Sequence, residues 1–175
     1  RTKPERGART ISAFIVEGDR KGLIIGEPED KMGMRASDTV PVTLENVEIP
    51  EENLCGELHA GYVDALRVLD RGRVTIGSLS VGLARGCLEE AVKYSSERKA
   101  FGVPLHEHQA IGIKLADMET QIEAARQLIW HAAALRDAGR PCLKEAAMAK
   151  LFASEMAEKV CSVAIQTLGG YGYVS

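Results

Sequence analysis

Glu97-Arg98-Lys99-Ala100-Phe101-Gly102-Val103-Pro104 separates two long helical patterns, one ending near Arg98 and the next starting near Pro104. Gly102 is suited to a positive φ that stops the first helix. Pro104 has the fixed φ of a first helical turn. Arg98 and Lys99 put positive charge where the last helical carbonyls are negative. A well-built helix–turn–helix accounts for the local pattern. Arg98 also offers a rigid fork to a phosphate or another anion at a crevice. Local pattern leaves both readings open.

Downstream lies the clearest periodic signal. Ile111, Leu115, Met118, Ile122, Ala125, Ile129 and Ala132 recur at alternating steps of four and three, the seam of a helical bundle. This predicts a helix from about Leu105 to Ala138, closed by Gly139 and Pro141. A third helix is expected over 143–168. Ala146, Ala149, Ala153, Met156, Val160 and Val163 form its stripe, and Gly169-Gly170 break it. Upstream, a helix from about Gly61 to Arg98 carries Gly72, Gly77, Gly82 and Gly86, each costing roughly 1 kcal/mol against alanine. Close packing of a neighbouring helix explains such glycines, and so does room for a flat ligand. Asp70-Arg71-Gly72-Arg73 in that helix reads locally as a solvated charged face.

Before residue 57 the pattern is extended. Ile11 to Val16 and Leu23 to Gly26 read as short strands, and Val40 to Ile49 as one or two more. Glu27 to Asp38 reads as a loop and Pro50 to Gly56 as a linker. So few short strands cannot cover a core of their own. The fold class expected is therefore α+β and multidomain: residues 1–56 as the end of a β domain, then 57–175 as an up-down helical bundle with a fourth helix beyond Ser175. The start at Arg1 and the stop after Gly169-Gly170-Tyr171-Gly172-Tyr173 fit a piece of a larger protein.

Composition narrows function. A net charge of −3 with no basic cluster gives no expectation of nucleic acid or an anionic membrane surface. Cys55, Cys87, Cys142 and Cys161 form no CxxC pair and are expected as reduced thiols. His106 and His108, two apart, would face different sides of a helix, and no metal site is expected.

Six pieces in order carry a resemblance. They are Phe14-Ile15-Val16-Glu17, Lys31 to Ser37 (KMGMRAS), Leu69-Asp70-Arg71-Gly72-Arg73, Glu97 to Gly102 (ERKAFG), Glu107-His108-Gln109, and Gln166 to Tyr173 (QTLGGYGY). Together they resemble the acyl-CoA dehydrogenases, at the end of the middle β domain and most of the C-terminal helical domain. The resemblance implies an FAD enzyme. FAD takes a hydride from the β carbon of an acyl-CoA, a glutamate removes the α proton, and the product is a trans-2-enoyl-CoA. Electrons pass to electron-transferring flavoprotein. The assembly it implies is a homotetramer, a dimer of dimers, in bacterial cytoplasm or the mitochondrial matrix.

Residue by residue, the resemblance gives Arg98 to the FAD diphosphate, and Phe101, Leu105, His108 and Gln109 to the same nucleotide from one subunit. Gln166, Gly169 and Gly170 would approach the adenosine part of FAD bound mainly by the neighbouring subunit. Asp70 and Arg73 would face the acyl-CoA. Ala100 stands where many relatives carry a hydroxyl residue, a departure at one hydrogen bond to FAD. No catalytic residue is expected within the chain. Some branches place the base at the position of Gly72, and most place it shortly after the Gly-Gly-Tyr-Gly-Tyr turn, beyond Ser175. An acyl-CoA oxidase or nitroalkane oxidase on the same fold, and a non-catalytic helical interaction module, are the alternatives.

Overall fold

The computed structural model describes residues 1–174 and divides into two compact units, Arg1–Leu66 and Arg67–Ser175. Three helices dominate: α1 Gly61–Glu97, α2 Gln109–Asp137 and α3 Leu143–Leu168.

The first unit holds two small antiparallel ladders. β1 (Ala13–Phe14) pairs with β4 (Leu54–Cys55), and β2 (Leu23–Ile25) pairs with β3 (Val42–Leu44). The expected strands are thus present but shorter, and β4 falls inside the expected linker. The ladders leave Ile15, Ile25, Val42 and Leu44 exposed. Asn53 ties one edge together: its side-chain amide donates to the Ile15 carbonyl at 2.9 Å and to Glu17 Oε1 at 3.0 Å. Glu17 also accepts from Arg20 Nε at 3.1 Å. These partners, Arg20 first and Asn53 next, hold its carboxyl down at about 2.

The second unit is built on the seam. Met118, Ile122, Ala125, Ile129 and Ala132 of α2 are buried against Ala146, Ala149, Ala153, Met156 and Val160 of α3. Alanine at so many facing positions lets the two helix axes come close, because axis separation follows side-chain size at the contact. Ala84, Leu88 and Ala91 of α1 complete the same core. Direction follows from pairs of neighbours. A Cβ on Gly77 of α1 would lie 3.7 Å from Lys150 Cα, and Cys87 Sγ is 3.5 Å from Cys161 Sγ, so α1 and α3 run parallel. Lys159 Nζ is 3.9 Å from Asp117 Oδ2, joining the later half of α3 to the early part of α2, so α2 runs the other way.

Helix ends show which punctuation was read correctly. Gly139 has φ +66°, its N–H donates to Arg136 O at 2.9 Å, and Arg140 N–H donates to Leu135 O at 2.9 Å. That is the paired stop made by a left-handed glycine after a helix. The 97–104 stretch differs from expectation. α1 ends at Glu97, and the chain forms a β-hairpin, β5 (Lys99–Ala100) against β6 (Val103–Pro104). Gly102 has the positive φ foreseen, +88°, but it turns the hairpin rather than capping the helix. Pro104 has ψ 148° and lies in β6, not in a first helical turn. A short 3-10 turn, Leu105–Glu107, intervenes before α2 starts at Gln109. His106 and His108 therefore precede the helix, and each ring is held by a carbonyl: His106 Nδ1–H donates to Ser95 O at 3.2 Å, His108 Nε2–H to Ala100 O at 3.1 Å.

Among the described residues no helix is long and apolar enough to cross a membrane, and no cluster of three potential ligands could hold a metal ion.

Candidate functional site

The hairpin after α1 fixes Arg98. Its N–H donates to Tyr94 O at 2.9 Å, continuing the helical pattern, and its carbonyl accepts from Leu105 N at 2.8 Å across the hairpin base. Both backbone groups are thus committed, and Arg98 lines a cavity of about 460 Å³. Arg98, Leu105, Gly169 and Gly170 line this cavity together. Four of the eight residues assigned to the cofactor thus converge, from stretches of chain more than sixty positions apart.

The convergence has a local cause. α1 and α3 are parallel, so their C-terminal ends lie at the same end of the bundle. At Gly169 the φ is +59°, α3 stops, and a 3-10 turn over Gly169–Gly172 follows. A Cβ at Gly169 or Gly170 would meet nothing within 4 Å, so their backbone is open to a ligand. Tyr94 and Tyr171 link the two ends, with ring centroids 6.0 Å apart.

Phe101 is the most unusual residue here. It has φ +54°, a left-handed conformation that costs a non-glycine residue on the order of 1–2 kcal/mol, and the residue is 98% exposed. The hairpin demands this: a two-residue turn of this hand needs positive φ at both central positions, and Gly102 supplies the other. Its only ring contact among the described residues is with His108, edge to face at 6.0 Å. Backbone strain of this kind clusters at active sites and ligand clamps. Phe101, His108, Gln109 and Gln166 do not line the cavity; Gln109 and Gln166 are exposed on the first turn of α2 and the last turn of α3.

The sequence reading missed Tyr94, Thr167, Leu168, Tyr171 and Val174, which also line the cavity. Tyr94 was within reach, since a residue one turn before Arg98 shares its helix face.

Asp70 and Arg73, assigned to the substrate, form an ion pair at 3.1 Å, both partly exposed. The glycines of α1 separate into two kinds. Gly77 is a packing glycine, closed by Ile129, whereas Gly72, Gly82 and Gly86 have nothing within 4 Å of an added Cβ. A larger cleft of about 760 Å³ in the first unit, lined in part by Arg20, Lys21, Glu45 and Glu48, holds none of the residues assigned to cofactor or substrate.

Residues 59–175 match the model of the acyl-CoA dehydrogenase C-terminal domain. The chain is 48% identical over 174 residues to the short-chain specific acyl-CoA dehydrogenase, mitochondrial, of Mus musculus, covering 99% of this chain and 42% of that protein. It is 44% identical to the caffeyl-CoA reductase-Etf complex subunit CarC of Acetobacterium woodii, covering 99% of this chain and 46% of that one. The butyryl-CoA dehydrogenase structure from Megasphaera elsdenii superposes with a TM-score of 0.94 at 42% identity, over 99% of this chain and 45% of that chain. The chain thus spans less than half the length of these relatives. With the domain model matched over most of its length and the bundle reproduced, the chain belongs to the acyl-CoA dehydrogenase family.

Proposed function

We propose that the whole protein carrying this chain is an FAD-dependent acyl-CoA dehydrogenase that converts an acyl-CoA to a trans-2-enoyl-CoA. In this reading residues 1–56 end a β domain and 57–175 form the helical domain. The observation that carries it is the meeting of a cationic fork, Arg98, with the open backbone of Gly169 and Gly170 on one cavity. That set suits a dinucleotide: a guanidinium matches a diphosphate, and side-chain-free backbone admits a flat adenosine. Arg98 holds the diphosphate. Leu105, Gly169 and Gly170 shape the cleft, and Phe101, His108, Gln109 and Gln166 extend it outward on the same end of the bundle. Bound FAD supplies the hydride acceptor.

Asp70 and Arg73 orient the thioester on α1. The α proton goes to a glutamate beyond Ser175, because Gly72 has no side chain to offer and Glu97 and Glu107 flank the diphosphate turn. The CarC relative is named as part of an Etf complex, which supports electron-transferring flavoprotein as the acceptor. A dimer-of-dimers assembly fits a nucleotide cleft so open in one chain. The mitochondrial name of the mouse relative and the bacterial source of CarC support a matrix or bacterial cytoplasmic setting.

The test is anaerobic mixing of the whole protein with acyl-CoA thioesters. The account expects the flavin absorption to bleach, enoyl-CoA to form, and the colour to return on adding electron-transferring flavoprotein. Rapid peroxide formation with oxygen instead would make the protein an oxidase. No bleaching with any acyl chain would leave it a non-catalytic module.

A further inference from the structure

Cys87 on α1 and Cys161 on α3 are 74 positions apart in the chain, and their sulfurs stand 3.5 Å apart. Both thiols are free and half-buried. They line a cavity of about 410 Å³ between the two helices, whose wall is apolar apart from Glu90. Their neighbours there are small: Gly82, Gly86 and Ala164 share the wall, and an added Cβ at Gly82 or Gly86 would meet nothing within 4 Å. The core beside them holds the helices at this spacing, through Ala84 and Leu88 of α1 and Ala157, Val160 and Ala164 of α3. A disulfide needs its sulfurs about 2.05 Å apart, so these two have about 1.5 Å left to close. A modest turn about each Cα–Cβ bond covers that distance, and the cavity gives the sulfurs room to turn and an oxidant room to enter. The other cysteine of the helical unit does not compete. Cys142 caps the start of α3, nineteen positions before Cys161 and about 28 Å away along the axis.

We propose that Cys87 and Cys161 are a peroxide-sensitive dithiol that closes to an intramolecular disulfide and staples α1 to α3. The proposal does not depend on the dehydrogenase reading. The oxidant is hydrogen peroxide. A thiolate attacks one peroxide oxygen, the O–O bond breaks, the displaced hydroxide leaves as water, and the sulfur becomes a sulfenic acid. The second sulfur then displaces the sulfenic hydroxyl, the S–S bond forms, and a second water leaves. Two thiols and one peroxide thus give one disulfide and two waters. Burial holds the Cys161 thiol up at about 11, which leaves Cys87 to make the first attack and Cys161 to resolve it. The bond ties together the two helices whose C-terminal ends meet at the Arg98 cavity. Closing so long a loop restricts the unfolded chain and so favours the folded one.

The experiment treats the reduced whole protein with hydrogen peroxide, unfolds it in iodoacetamide, and maps the cysteines by mass spectrometry. The proposal expects a cross-linked peptide joining Cys87 to Cys161, two hydrogens lighter than the reduced pair, while Cys142 is carboxamidomethylated. Dithiothreitol should reverse the link. The oxidised protein should melt roughly 5 °C or more above the reduced one. Cys87→Ala and Cys161→Ser should each abolish both the cross-link and the shift in melting. In Cys161→Ser, dimedone should trap a sulfenic acid on Cys87. Both thiols still open to iodoacetamide after peroxide would overturn the proposal. So would their separate oxidation to sulfinic acids with no cross-linked peptide. A link that forms but lowers the melting temperature would overturn it too, because the fold would then resist the bond.

Discussion

Gly77 of α1 faces Ile129 of α2 so closely that an added Cβ would lie 3.3 Å from both Ile129 Cδ1 and Cγ1. Ile129 is buried in the core shared by the three helices. Gly77→Val should therefore destabilise by about 1–3 kcal/mol, although valine is the better helix former. Combining it with Ile129→Ala should recover part of that loss, with a coupling of roughly 0.5–3 kcal/mol in a double-mutant cycle by chemical denaturation. Additive effects would show that Gly77 serves something other than this contact.

Burial, and then the Cys87 thiol 3.5 Å away, push the Cys161 thiol up to about 11. Only the thiolate alkylates readily. Near pH 8, mass spectrometry should find Cys161 carboxamidomethylated far more slowly than the exposed Cys55. The raised folded value also fixes a sign. Cys161 contributes stability below its unfolded value of 9.0, and that contribution is lost as pH rises toward 11. Equal labelling of the two cysteines would contradict the buried setting.

Glu17 shifts in the opposite sense. Its carboxyl is held at about 2 by Arg20 and then Asn53, so its contribution is present above 4.5 and is lost as pH falls toward 2. A carboxyl NMR titration should show its inflection near 2, and Asn53→Ala should move it upward. An inflection near 4.5 in the unmodified protein would mean that these hydrogen bonds do not persist in solution.

Gly72 has open space around its Cα, so α1 accepts a side chain there. Changing the glutamate proposed beyond Ser175 to glutamine should abolish flavin reduction while leaving FAD bound. Adding Gly72→Glu to that variant should restore part of the rate, measured by stopped-flow absorbance. Normal flavin reduction in the glutamine variant would put the base elsewhere.

The long-period features of the fold were legible because they repeat. The Ala146-to-Val163 stripe marked α3 and the Gly169-Gly170 break marked its observed end, while the seam from Ile111 to Ala132 named the buried face of α2. The hairpin was not legible: nothing in the residue type of Phe101 announces a positive φ, and β5 and β6 are too short to show alternation. β4 was hidden between Pro50 and Gly56 for the same reason. Arg98 and the Gly169-Gly170 pair could be named from the family resemblance, but their shared cavity needed the parallel course of α1 and α3.

The most direct measurement is FAD affinity in the whole protein with Arg98→Ala and Arg98→Lys. A charge-assisted bond to the diphosphate contributes on the order of 1.5–3 kcal/mol, so the alanine variant should bind FAD roughly ten- to a hundredfold more weakly. Lysine should fall between the two, since it keeps the charge and loses the fork. The helical content and melting temperature of the apoprotein should be unchanged, because the side chain of Arg98 is exposed. Wild-type FAD affinity in Arg98→Ala would contradict the account at its centre.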